Sequence, residues 1–133
     1  MVKVSRKIEM VDLVAQYEKI RPEVDAAIQN VILSSKFING PAVKEFQASL
    51  EKYLGVKHVI PCANGTDALQ IAMMALGLRP GDEVITSNFT FAATVETIAF
   101  LGLVPVLGDV HPDSFNISLQ EIEKAITPKT KAI

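Results

Sequence analysis

The chain has few of the residues on which metal-binding and disulfide-rich proteins depend. Its 133 residues include one cysteine, Cys62, and two histidines, His58 and His111. These residues do not have the spacing of a zinc site, so we expect no metal. A single cysteine cannot form an internal disulfide, which favours a reducing, cytoplasmic setting.

Excess charge and long apolar runs are also missing. Thirteen basic and fifteen acidic residues leave a net charge of −2, whereas a nucleic-acid-binding domain needs a basic face. The longest apolar stretch, residues 89–108, is interrupted by Glu96 and Pro105, and no apolar signal segment follows the first residues. We therefore expect no nucleic-acid partner, no membrane association and no signal peptide. Hydrophobic residues still make up 49% of the chain, enough for a core.

Helical periodicity dominates the N-terminal part of the chain. Apolar residues recur at helical spacing over 9–33, where Pro22 is expected to break the helix or to begin its second half. A second helix is expected over 42–54, ended by Gly55. The pattern predicts an N-terminal helical segment over residues 1–57.

From residue 58 onward, short apolar strands alternate with helices. Strands are predicted at 58–62, 83–86, 104–107 and from 131, and helices at 68–78, 89–101 and 118–126. This alternation predicts an α/β fold with a parallel sheet and helices on its faces. Ser118 and Glu121 have the spacing of a capping box. Because the chain stops as a strand begins, we expect an N-terminal piece of a longer protein.

The loop after the first predicted strand has features of an anion site. Gly65 lets a ligand approach the backbone, Thr66 offers a hydroxyl donor, and the first amides of a helix lack intrahelical partners. The same residues fit a plain helix cap, with Asn64 or Thr66 as the N-cap and Asp67 facing the helix dipole. By itself the motif favours the plain cap, since short motifs often match by chance.

Two aromatic residues follow the second predicted strand. Phe89 and Phe91 come close to its carboxyl end, where open α/β sheets bind ligands, and a flat ring there can stack on a planar cofactor. Each phenylalanine alone is more simply explained as a core residue. A phosphate loop after one strand and an aromatic after the next together favour a cofactor site.

Ordered blocks along essentially the whole chain resemble the DegT/DnrJ/EryC1/StrS sugar aminotransferases, which use pyridoxal 5'-phosphate (PLP). The blocks are 11–13, 39–41, 63–70, 80–86, 89–94, 116–117 and 125–133. Within the family, the run 62–70 is most similar to enzymes that aminate a 3-keto sugar nucleotide, including the UDP-2-acetamido-3-oxo-glucuronate type.

The resemblance implies a fold and a cofactor site. Residues 58–133 would be the first part of the three-layer α/β/α large domain of the type I PLP-dependent transferase fold, in a homodimer. It implies that Gly65, Thr66 and Asp67 bind the PLP phosphate and that Phe91 stacks on the pyridine ring.

The resemblance also implies a substrate connector. Phe37 and Asn39 match a segment near the active site and are expected to touch the substrate. Asp109 matches a common acid at the end of a strand, and no catalytic role is assigned to it.

The implied chemistry needs residues that this chain does not contain. The family implies amino transfer, with glutamate as the expected donor, to a keto sugar nucleotide in polysaccharide biosynthesis. Its Schiff-base lysine, and the acid that holds the pyridine nitrogen protonated, would follow residue 133, so the chain is expected to be inactive by itself. Later strands would also separate the strand at 58–62 from its sheet. The isolated chain is therefore expected to be unstable or to associate.

Two other interpretations fit the same sequence. The scaffold can serve a non-catalytic protein that binds PLP or a sugar nucleotide, since fold does not determine function. A different α/β phosphate-binding module can also match these motifs by chance. A lysine in the remaining part of the protein distinguishes an enzyme from a binding protein. The absence of Schiff-base absorbance with PLP would favour the unrelated module.

Overall fold

The computed structural model describes residues 10–133, which fall into two compact units. The first unit ends at Pro61, and the second spans Cys62–Ile133. Residues 1–9, where no signal peptide is expected, lie outside the described residues. The first helix was predicted to begin at residue 9, but the described residues 10–12 are not helical and the helix begins at Leu13. In the part of the chain that is described, no helix is both long and apolar enough to cross a bilayer.

Two helices form the described part of the first unit, α1 (Leu13–Ser34) and α2 (Pro41–Leu54). The side chain of Asp12 caps α1 by accepting a 2.9 Å hydrogen bond from the N–H of Ala15. The prediction that Pro22 divides this helix was wrong, because α1 runs through it. Proline removes one intrahelical hydrogen bond, and the bonds on either side hold the helix together.

The connector between α1 and α2 depends on one glycine. Gly40 is the N-cap of α2 and is buried, and a Cβ built on it would lie 2.1 Å from the carbonyl oxygen of Lys36. Asn39 before it has a φ of 48°, in the left-handed region. Neither α1 nor α2 buries a side chain, so the apolar positions that predicted α1 are largely exposed.

A three-stranded parallel sheet organises the second unit, and the predicted α/β fold is confirmed. The strands are β1 (Glu83–Ser87), β2 (Val104–Gly108) and β3 (Thr130–Ala132), in the order β2-β1-β3. The helices are α3 (Gly65–Ala75), α4 (Ala92–Phe100) and α5 (Leu119–Ala125). The register of β1 against β2 runs from Glu83 opposite Val104 to Ser87 opposite Gly108.

The predicted strand at 58–62 was wrong for this structure, since these residues form no strand. The central strand β1 has β2 on one side and β3 on the other. A strand requires a hydrogen-bonded neighbour, and none of the described strands pairs with 58–62. The side chain of Ile60 is accordingly 74% exposed.

Several helix boundaries also differ from the predictions. α3 begins at Gly65 instead of 68, and α4 begins at Ala92 instead of 89. The capping box at Ser118 does not form, because the Ser118 side chain makes no capping bond. Its N–H donates to the carbonyl of Asp109, and the carboxylate of Glu121 pairs instead with Lys124, at 2.7 Å.

The core of the second unit is small. Met73 on α3, Val84 on β1, Ile98 on α4 and Leu103 just before β2 form its buried cluster. The hydroxyl of the buried Thr97 donates to the carbonyl of Thr94 at 3.1 Å, and its burial is thereby compensated.

Candidate cofactor site

The N-terminus of α3 is capped by Asn64. Its Oδ1 accepts a 2.9 Å hydrogen bond from the N–H of Asp67, and its Nδ2 donates to the Asp67 carboxylate at 3.2 Å. Asn64 is thus the N-cap, one of the two residues predicted for that position. The resemblance implies that Asp67 binds the PLP phosphate. In this structure the N–H of Asp67 donates to the side chain of Asn64.

Three donors at this helix end have no partner. The N–H groups of Gly65 and Thr66 and the Thr66 hydroxyl make no hydrogen bond within the described residues. A Cβ built on Gly65 would meet no atom within 4 Å, so the backbone faces open space. Unpaired donors at the positive end of a helix dipole favour an anion such as phosphate.

The loop after β1 separates the roles of its two aromatic residues. The ring of Phe89 lies against that of Phe115, with centroids 5.2 Å apart and planes tilted by 34°. Phe91, the N-cap of α4, is 79% exposed, and its ring has no ring partner in the described part of the chain. Neither residue belongs to the core, and Phe91 is the one whose face is open to a ligand.

A polar pair that sequence reasoning did not bring together lies at the same edge. The Nδ2 of Asn88 donates to Oδ1 of Asp109 at 3.1 Å, across 21 residues of sequence. Asn88 directly follows β1 and Asp109 directly follows β2. Because the carboxyl ends of parallel neighbours meet at one edge, their positions after the two strands were a usable signal.

The connectivity brings the helix ends to one side of the sheet. α3 leads through a turn to the amino end of β1, and four residues separate the carboxyl end of β1 from the first residue of α4. The two helices pack against each other. The first turns of α3 and α4 therefore lie toward the carboxyl edge of the sheet, which is where ligands bind in open α/β folds.

In the first unit, the α1–α2 connector lines a cavity of about 720 Å³. Phe37 and Asn39, the residues predicted to touch the substrate, both contribute to its wall. Lys36 and Lys44 also line it, and neither amino group has a hydrogen-bond or ion-pair partner among residues 10–133. Over the same range, no cluster of three or more His, Cys, Asp or Glu side chains is placed to hold a metal ion.

The order of these features along the chain is matched by one family model. The model of the DegT/DnrJ/EryC1/StrS aminotransferase family covers residues 18–133. The chain belongs to this family. The predicted family is thereby confirmed, and interpretation as an unrelated phosphate-binding module is excluded.

Two curated proteins are similar to almost the whole chain. A UDP-2-acetamido-2-deoxy-3-oxo-D-glucuronate aminotransferase of Pseudomonas aeruginosa is 52% identical over 126 residues, 95% of this chain and 35% of that protein. A pleiotropic regulatory protein of Geobacillus stearothermophilus is 48% identical over 126 residues, again 95% of this chain and 34% of that protein. The chain thus spans about a third of the length of these curated relatives.

A solved structure supports the same fold. The crystal structure of NtdA from Bacillus subtilis with bound cofactor PMP, the aminated form of PLP, aligns with a TM-score of 0.84 and 36% identity. The alignment covers 95% of this chain and 30% of that one. The α/β arrangement described above therefore also occurs in a solved structure that holds PMP.

Proposed function

We propose that this chain is the N-terminal part of a PLP-dependent aminotransferase that transfers an amino group from glutamate to a keto sugar nucleotide for polysaccharide biosynthesis. The observation that carries the proposal is the unpaired donor set of Gly65 and Thr66, on the same side of the sheet as the exposed ring of Phe91. PLP consists of a phosphate and a flat pyridine ring, so the two features match its two ends.

Each residue of the cofactor site has a separate role in this proposal. The N–H groups of Gly65 and Thr66 and the Thr66 hydroxyl donate to the phosphate, with the dipole of α3 adding favourable potential. Asp67 contributes from this segment by holding Asn64 in its capping position. Phe91 packs its ring on the pyridine face. When bound, PLP supplies a ring that acts as an electron sink and a group that accepts the amino group from one substrate and passes it to the other.

The connector cavity supports a nucleotide sugar as the substrate. Phe37 offers a 63% exposed ring and Asn39 an amide. Lys36 and Lys44 offer two unpaired positive charges against the single carboxylate of Glu45, so the lining is net positive. A nucleotide sugar carries a diphosphate, which such charges attract. The proposal of a keto sugar is supported by the 52% identical relative, whose name gives a 3-oxo glucuronate nucleotide as its substrate.

The remaining parts of the proposal concern the whole protein. We place it in the cytoplasm, because the one cysteine suits a reducing compartment. We place it in a homodimer, because the apolar residues of α1 are exposed in its own unit. The 133 residues by themselves do not transfer amino groups, since none of their lysines matches the Schiff-base lysine of the family.

A regulatory protein on the same scaffold is the second candidate. It is favoured by one observation, the 48% identical relative that is a pleiotropic regulatory protein. Such a protein would use the same donors to bind PLP or a sugar nucleotide without chemistry.

One experiment tests both candidates. The reading frame is followed past codon 133, and its full-length product is mixed with PLP, glutamate and a 3-keto UDP-sugar. The enzyme predicts a Schiff-base lysine in the added sequence, a Schiff-base absorbance band and consumption of glutamate. Binding of PLP without that lysine or turnover would favour the regulatory protein, and no binding of PLP would refute the proposed cofactor site.

A further inference from the structure

The backbone that presents Phe91 is tied to the neighbouring strand. The N–H of Asn88 donates to the carbonyl of Gly108 at 3.0 Å, and its side chain donates to Asp109 at 3.1 Å. The accepting oxygen of Asp109 also receives the N–H of Val110 at 2.8 Å, which fixes the orientation of the carboxylate. The loop after β1 is therefore attached to the loop after β2 by main chain and side chain.

An aromatic contact reinforces this attachment. The ring of Phe89 meets that of Phe115 from the loop after β2. Phe115 has a φ of 57°, a costly conformation for an aromatic residue, and its N–H donates to the carbonyl of His111 at 2.9 Å. Such a conformation persists only where surrounding contacts determine it, and it occurs preferentially at functional sites.

The loop clasp denotes these two links, Asn88 with Asp109 and Phe89 with Phe115. Phe91 follows the clasp by two residues and is exposed, with no neighbouring ring in the described chain to hold its own. The clasp and the first turn of α4 therefore hold the backbone from which the Phe91 ring projects. A ring held in place loses less freedom on stacking than one on a mobile loop.

We infer that Asn88 and Asp109 are positioning residues that hold the loop after β1 so that Phe91 meets the cofactor ring. The inference rests on the proposed function, since it takes PLP as the ligand of Phe91. It assigns to the pair a role in cofactor affinity beyond its contribution to folding.

Exchanges between Asn and Asp at positions 88 and 109 change the charge and the hydrogen bond of the pair but keep the size of the side chains. Asn88→Asp places a second carboxylate against that of Asp109, so the link becomes repulsive. Asp109→Asn keeps an oxygen that can accept from Asn88 and is expected to be mild. Combining Asn88→Asp with Asp109→Asn removes the repulsion and lets the amide of residue 109 donate to the carboxylate of residue 88, at the loss of the hydrogen bond from the N–H of Val110 to the former Oδ1.

The PLP dissociation constant of the full-length product is the first measurement. We expect Asn88→Asp to weaken binding about three- to tenfold, the affinity equivalent of one ordinary hydrogen bond, and the double exchange to restore part of that loss. In a Phe91→Ala background, Asn88→Asp should have little further effect, because it acts through that ring. The circular dichroism of bound PLP should change with Asn88→Asp and recover in part in the exchange.

Thr127→Ala is the matched control. It removes a side-chain hydrogen bond of 2.5 Å to Glu83, which also joins distant parts of the chain but lies at the amino end of β1. It should lower the urea midpoint of the PLP-free protein without changing PLP affinity.

The outcomes separate the two proposals. If the parent protein does not bind PLP, the proposed function fails and this inference with it. If the parent binds and Phe91→Ala weakens binding while Asn88→Asp does not, only the positioning role is refuted. A loss with Asn88→Asp that is equally large in the Phe91→Ala background also refutes it, because the pair would then act without Phe91.

Discussion

A single methyl group at Gly65 should separate binding from folding. Gly65 is the first residue of α3, and a Cβ added there meets no protein atom within 4 Å. Its backbone is not in the left-handed region that favours glycine. In the absence of ligand, Gly65→Ala should therefore leave the free energy of unfolding unchanged or raise it by up to about 1 kcal/mol, the helix preference of alanine over glycine.

The same methyl group should obstruct a phosphate. It would stand on the residue that supplies one of the two unpaired N–H groups, where the surrounding space is open. Loss of one charge-assisted hydrogen bond costs about 1.5–3 kcal/mol, so PLP binding should weaken by about ten- to a hundredfold. The measurements are urea unfolding without PLP, followed by circular dichroism, and a PLP titration of the full-length product.

Gly77→Ala is the matched control for this prediction. A Cβ on Gly77 also meets nothing within 4 Å, but its φ is 70°. An alanine there should cost about 1–2 kcal/mol of stability and leave PLP affinity unchanged. If Gly65→Ala binds PLP as tightly as the parent protein, the phosphate does not lie against Gly65 and the proposed site is wrong.

Three further predictions concern stability and association. Ile98→Ala removes a side chain that is 2% exposed and should lower the free energy of unfolding by about 2–5 kcal/mol in urea. Ile126→Ala removes a side chain that is 54% exposed and should lower it much less. Equal losses would contradict the assigned core. Asn64→Ala removes the cap of α3 and should cost about 1 kcal/mol by the same measurement, and a neutral result would show that the capping bond does not form in solution. The 133-residue chain should associate at rising concentration in light scattering, and a monomer with a cooperative melt would contradict the expectation drawn from its exposed apolar residues.

Apolar periodicity located the helices more accurately than it identified buried residues. The spacing of Val14, Ile20 and Ile28 predicted α1 correctly. Their exposed fractions are nevertheless 71%, 46% and 55%, respectively. Periodicity reports which face is apolar, but it cannot report what covers that face. In the second unit, 13 large hydrophobic residues are exposed and five are buried, so the same limit applies there.

The sheet shows where local sequence information ends. β1 and β2 were predicted to within a residue at each end, because short apolar runs between turn residues depend on local chemistry. Residues 58–62 have an equally apolar run and form no strand. Pairing is not a local property, since it depends on whether a neighbouring strand is present.

The candidate site was predictable as a set of loops and not as a set of contacts. The position of Gly65 and Thr66 before a helix indicated unpaired donors, which the structure contains. Sequence position could not distinguish Phe89 from Phe91, because both follow the same strand. The distinction comes from Phe115, 24 residues beyond Phe91, whose ring engages Phe89 and leaves the other ring exposed.

The different contacts of Phe89 and Phe91 give the two residues different roles in the site that the family resemblance implies. One aromatic residue anchors the loop and the next is available to a ligand, so the two cannot be interchanged even though both are phenylalanine. The anchor includes Phe115 in a left-handed conformation. In the inference drawn above, this anchor holds the loop that presents the available ring. A loop held this way keeps its aromatic face ordered before the cofactor binds, and less conformational entropy is lost on binding. Cofactor affinity in this protein should therefore depend on residues that never touch the cofactor.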